Sequence, residues 1–147
     1  MDTTRPSGPP VLVVDDCPDA ADSLALLLNR WGYQTAVAYD GPSALAAALA
    51  RPPAAVLLDQ VMPGMGGCEV ARRLRGQPNA ARALLVALTG SGREEDMRLC
   101  YAAGFDLHLL KPCDPEELRR VLDGRLAARP APSRPGTASG QAPGSRT

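Results

Sequence analysis

The chain almost lacks lysine: of its sixteen basic residues only Lys111 is not arginine. It has one histidine, His108, and its four cysteines (Cys17, Cys68, Cys100, Cys113) form no Cys-x-x-Cys pair. These scarcities leave no zinc-like ligand spacing and predict reduced thiols in a cytoplasmic protein. No apolar run approaches the roughly 18 residues of a membrane span, and the opening residues lack a signal-peptide core. No internal repeat is visible. Residues 1–128 hold 13 basic and 16 acidic residues, a net charge of −3. That balance offers no basic footprint, so neither nucleic acid nor membrane is expected as a partner.

Five apolar runs remain: Val11–Val14, Thr35–Ala38, Ala55–Leu58, Leu84–Leu88 and Leu107–Leu110. Three are uninterrupted and rich in Val and Leu, as strands buried on both faces of a parallel sheet are. The segments between them have the length of crossover helices. Pro18 suits a first helical turn, with Leu24, Leu27, Leu28 and Trp31 on one stripe and Gly32 as a stop. Ser43 to Ala50 and Cys68 to Arg75 read as two further helices, the second with Val70 and Leu74 inward. Ser91 and Glu94 read as a capping box, with Gly104 closing that helix. Asp114 and Pro115 open the last helix, whose Leu118, Val121, Leu122 and Leu126 face the core. This order predicts an α/β fold, an open (βα)5 doubly wound parallel sheet spanning residues 10–128. Residues 1–9 and the Pro/Gly/Ser/Ala-rich stretch 129–147 are predicted to be disordered.

In such sheets ligands bind beyond the carboxyl ends of the strands. Those ends carry Asp15 and Asp16, Asp59, Thr89 and Lys111. Three converging carboxylates repel one another unless protonated or joined by a cation. Oxygen-only ligation favours Mg²⁺ or Mn²⁺. With that cation bound, one carboxylate can attack a phosphoryl group and form an acyl phosphate. Lys111 and Thr89 would then hold the phosphoryl oxygens. Asp59 is the expected nucleophile: it stands alone, and the Gly- and Pro-rich loop from Gln60 to Gly67 can bend sharply and expose it. Gly90 is expected to leave access for the donor.

Val11-Leu12-Val13-Val14-Asp15-Asp16, Leu57-Leu58-Asp59 with Met62-Pro63-Gly64-Met65-Gly66-Gly67, Leu88-Thr89-Gly90 and Leu110-Lys111-Pro112 occur in that order. Together they make residues 10 to about 126 resemble the receiver domain of two-component response regulators. The architecture is similar to chemotaxis-type single-domain regulators or to the receiver of a hybrid kinase. The resemblance implies a flavodoxin-like fold with strand order 2-1-3-4-5. It implies that Asp59 accepts phosphate from a histidine kinase, and that the domain is a phosphoacceptor rather than an enzyme with a separate substrate. Asp16, Asp59 and the Val61 backbone carbonyl would ligate Mg²⁺, with Asp15 helping directly or through water. Thr89 would act as a switch, shifting the face of the fourth helix, fifth strand and fifth helix where partners dock. Those partners would be a target protein or, alternatively, a histidine phosphotransfer protein in a phosphorelay. With no helix pattern in the last residues, a direct transcription factor is not expected.

His108 departs from the family, which usually carries Tyr or Phe three residues before the lysine. Two readings stand: a structurally neutral histidine, or a rotating switch residue whose charge state depends on its surroundings. Cys17 and Cys113 flank the site and read as inert side chains. Other uses of such a sheet fit less well. A haloacid-dehalogenase-type phosphatase needs Asp-x-Asp after the first strand, which Asp15-Asp16-Cys17 does not supply. A flavodoxin-like mononucleotide carrier would need a Ser/Thr-rich loop where Asp15, Asp16 and Asp19 would repel phosphate. A pseudo-receiver scaffold is the remaining alternative.

Overall fold

The computed structural model describes residues 7–90 and 92–127. Ser91 and the stretch 129–147 lie outside the described residues, as do residues 1–6 of the expected N-terminal disordered segment. Residues 7–9, assigned to that segment from the sequence, belong instead to the ordered body. The Gly8 amide donates to the Gly32 carbonyl at 2.8 Å, and the Gln34 amide to the Pro9 carbonyl at 3.2 Å.

Strands and helices alternate: β1 (Pro10–Val14), α1 (Pro18–Arg30), β2 (Gln34–Ala38), α2 (Gly41–Ala50), β3 (Ala55–Asp59), α3 (Gly67–Gly76), β4 (Leu84–Thr89), α4 (Glu94–Ala103), β5 (Leu107–Leu110) and α5 (Pro115–Ala127). All strand pairs are parallel, in the order β2-β1-β3-β4-β5. That is the predicted flavodoxin-like topology. The central strands β1, β3 and β4 are buried along almost their whole length, which explains their unbroken apolar sequence.

Strand alternation sorts the core into two layers. Val11, Val13, Leu57, Val86, Leu88 and Leu109 pack against α1 and α5, while Leu12, Val14, Val56, Leu58, Leu85 and Ala87 pack against α2, α3 and α4. On α5, Leu118, Leu122 and Leu126 are buried. Each fully buried leucine of this kind contributes roughly 1.5–3 kcal/mol from removal of apolar surface.

Two local expectations are revised. The buried stripe of α1 is Ala21, Ala25 and Leu28, with Leu24 and Trp31 only partly buried against the same layer. Two alanines let the helix axis approach the sheet closely, so the larger side chains lie at its flanks. Helix α4 starts later than the capping-box pattern implied. Arg93 is its N-cap with no side-chain cap, and Glu94, Glu95 and Asp96 fill the first turn. Their carboxylates complement the helix dipole instead. Gly104 ends that helix as expected, at a left-handed φ of 114°.

Candidate functional site

The five polar residues expected at strand ends lie at the carboxyl edge of the sheet. Asp59 is the last residue of β3 and Thr89 the last of β4, while Asp15 and Lys111 immediately follow β1 and β5. By alternation, Asp15, Asp59 and Lys111 share the parity of the α1/α5 layer, and Thr89 and His108 share the opposite one. The structure brings the first group together. Lys111 Nζ lies 3.3 Å from Asp59 Oδ1 and 3.4 Å from Asp15 Oδ2. The Lys111 amide also donates to the Thr89 carbonyl at 2.7 Å, tying the two residues through the main chain.

Asp15, Asp16 and Asp59 each offer a carboxylate oxygen within 4.8 Å of the others. Asp16 is exposed, whereas Asp15 and Asp59 are each only 7% exposed. The Gly- and Pro-rich loop was expected to expose Asp59, but the residue is buried at the end of β3. The Gly67 amide donates to the Gln60 carbonyl at 3.0 Å, and the Val61 amide lies 3.3 Å from Asp59 Oδ1. A Cβ at Gly67 would sit 2.7 Å from both the Asp59 carbonyl oxygen and Gln60 Cα. Only a glycine lets α3 begin that close to the end of β3.

Burial drives the Asp59 carboxyl above its ordinary range; the Lys111 ammonium pulls it back, and the Asp15 charge pushes it up again. Burial disfavours the Lys111 ammonium, but the Asp59 and Asp15 charges outweigh it and raise its pKa. The site is thus a compact acidic pair held by one cation, with a third carboxylate at its mouth. An oxygen-only set at this spacing fits a hard divalent ion such as Mg²⁺ after small side-chain shifts. Asp15, Asp16 and Asp59 are the side chains that would hold it.

Thr89 is buried, and His108 is half-buried opposite Ala87 in the β4–β5 ladder. Val61 is 76% exposed. Gly90 opens on free space: a Cβ there meets nothing within 4 Å, so access does not require glycine. Beside Thr89, a pocket of about 250 Å³ opens between Gln60, Cys68 and Asp96. Cys68 lines this pocket, a role that its helix position alone does not reveal. Cys17 is exposed and donates its amide to Asp15 Oδ1 at 3.0 Å, while Cys113 is half-buried with its thiol pKa raised by burial.

The family model of the response regulator receiver domain matches residues 11–123. The DNA-binding response regulator MtrA of Mycolicibacterium smegmatis is 39% identical over 126 residues, 86% of this chain and 53% of that protein. Among solved structures, Vibrio cholerae chemotaxis protein CheY4 is 30% identical with a TM-score of 0.77, over 82% of this chain and 99% of that one. The receiver domain of sensor histidine kinase PA1611 from Pseudomonas aeruginosa, with magnesium coordinated in its active-site cleft, is 30% identical with a TM-score of 0.76. That match covers 83% of this chain and 100% of the other. The chain spans about half the length of the MtrA proteins it matches. Among the described residues no helix is long and apolar enough to cross a membrane.

The MtrA match corrects one expectation. Exclusion of nucleic acid rested on the −3 charge of residues 1–128, yet sequences 38–39% identical belong to DNA-binding response regulators. The charge of a receiver reports on that unit alone, and the rest of the assembly can carry the basic surface. With its fold, its acidic site and the match over residues 11–123 in agreement, the chain belongs to the response regulator receiver family.

Proposed function

We propose that the chain is a phosphoacceptor switch in which Asp59 takes a phosphoryl group from a histidine kinase and signals through a phosphorylation-dependent contact. The observation that carries this reading is Lys111 Nζ bridging Asp59 and Asp15 beside a third carboxylate. A carboxylate oxygen of Asp59 attacks phosphorus as the P–N bond to the donor imidazole breaks. Lys111 stays charged through the step and is positioned to accept the new phosphoryl oxygens. Thr89, fixed to Lys111 through the main chain, supplies the hydroxyl on the other side. A bound Mg²⁺ would neutralise the gathered charge, with Asp15, Asp16, Asp59 and the Val61 carbonyl as its ligands. The phosphoryl group adds about −1.5 to −2 charges at this spot. That charge draws Thr89 inward and reshapes the α4–β5–α5 face, with His108 on the same side of the sheet as Thr89.

Incubation with acetyl phosphate and Mg²⁺ should add one phosphoryl mass to the wild type and none to Asp59→Ala. Labelling that persists in Asp59→Ala would refute the assignment. The likeness to chemotaxis protein CheY4, 99% of whose chain is matched, favours output by protein contact, with relay to a histidine phosphotransfer protein as the alternative. A second reading, favoured by the 39% identity to MtrA, couples the receiver to DNA binding. Phosphorylation-dependent retention on duplex DNA would select that second reading.

A further inference from the structure

Two of the four thiols, 32 positions apart, lie where α3 and α4 share one apolar layer. Cys68, in the first turn of α3, has its Sγ 3.9 Å from the carbonyl of Leu99, the residue preceding Cys100. Burial, together with the Cys68 side chain acting on it, raises the pKa of the Cys100 thiol. Cys100 belongs to the apolar layer against which Cys68 packs. Gln60 Nε2 approaches the Cys68 sulfur at 3.6 Å. Cys68 is half-buried and lines the 250 Å³ pocket, whereas Cys100 is fully buried.

We propose that Cys68 and Cys100 form an oxidation site in which a hydroperoxide entering this pocket closes a disulfide between α3 and α4. The Cys68 sulfur attacks one peroxide oxygen, the O–O bond breaks, and water or an alcohol leaves with the thiol proton. Cys68 is then a sulfenic acid. The Cys100 sulfur displaces its hydroxyl, the S–S bond forms, and water leaves with the second thiol proton. Two thiols lose two electrons and two protons in all, and one peroxide gains them. Exposure fixes the order, since only Cys68 can meet the oxidant. Burial pushes the Cys100 thiol up to about 11, so it stays protonated and unreactive at neutral pH until a sulfenic acid forms beside it.

The bridge would pin α4 to the start of α3 along the wall that includes Thr89. That consequence for switching rests on the phosphoacceptor reading; the bridge itself does not. The test treats the full chain with hydrogen peroxide at neutral pH, alkylates remaining thiols under denaturing conditions and maps peptides by mass. The expected result is loss of two hydrogen masses across the peptides holding Cys68 and Cys100, reversed by dithiothreitol. Cys17→Ser, Cys113→Ser and Asp59→Ala should form the same bridge, and Cys68→Ser should not. Cys68 accumulating as sulfinic acid without a bridge, or a bridge to Cys17 or Cys113 in its place, would overturn the proposal. Because the wild-type map decides the pairing, the outcome does not depend on whether Cys100→Ser folds.

Discussion

Arg75, near the end of α3, grips the Gly104 carbonyl with both Nε at 2.9 Å and Nη2 at 2.7 Å. The same guanidinium donates to the Ala81 and Ala83 carbonyls at 2.9 and 2.8 Å and to Asp106 Oδ2 at 2.8 Å. One planar fork therefore ties together α3, the turn before β4 and the turn after α4.

Replacing Arg75 should be costly because its fork satisfies carbonyls that would otherwise lose charge-assisted partners. Arg75→Ala is expected to lower unfolding free energy by about 1.5–3 kcal/mol, with Arg75→Lys recovering less than half. Urea denaturation midpoints check this. Equal stability for Arg75→Lys and wild type would show that charge, rather than the fork, matters.

Asp59 is a site of stored electrostatic cost in the metal-free protein. Its carboxyl is held above the ordinary value of about 3.9, so the folded state binds more protons there than the unfolded chain. Stability should fall as pH rises from that value through the raised folded one. Asp59→Asn should therefore melt higher than wild type at neutral pH in EDTA, and the gap should close as pH drops below about 4. A neutral-pH melting temperature at or below wild type would contradict this.

Lys111 and a divalent cation compete for the same two carboxylates. Lys111→Ala is expected to bind Mg²⁺ on the order of tenfold more tightly, because a like charge has been removed a few ångströms away. Phosphorylation by acetyl phosphate should nonetheless weaken, since no ammonium is left to meet the phosphoryl oxygens. Calorimetric titration and mass labelling on one preparation separate the two effects.

Neighbouring glycines at the start of α3 should respond differently. Gly67→Ala places a methyl 2.7 Å from main-chain atoms of Asp59 and Gln60, whereas the nearest atom at Gly66 is 3.6 Å away. Gly67→Ala should cost about 1–3 kcal/mol and weaken Mg²⁺ binding, with Gly66→Ala near neutral. Thermal melts of the two variants decide it.

Topology and the location of the site were legible because strands buried on both faces must be apolar, and their ends then stand out as polar. Asp59, Thr89 and Lys111 could each be placed that way. What stayed hidden depends on distance across the fold. Burial of Asp59 and the close approach of Gly67 to its main chain were hidden, because a string of glycines permits many loop paths. The Arg75 fork and the approach of Cys68 to the Leu99 carbonyl join residues about 30 positions apart, where no periodicity reports contact. Nucleic acid was excluded on net charge, a property of the receiver that carries no information about attached units.

The main-chain bond from Lys111 to Thr89 means that hydroxyl and ammonium form a single mechanical part. Sliding β5 by one residue would rotate the ammonium to the far layer and break that bond at once. Neither residue can be retuned by backbone adjustment alone, so any lineage altering the geometry at one must repair the other in the same step.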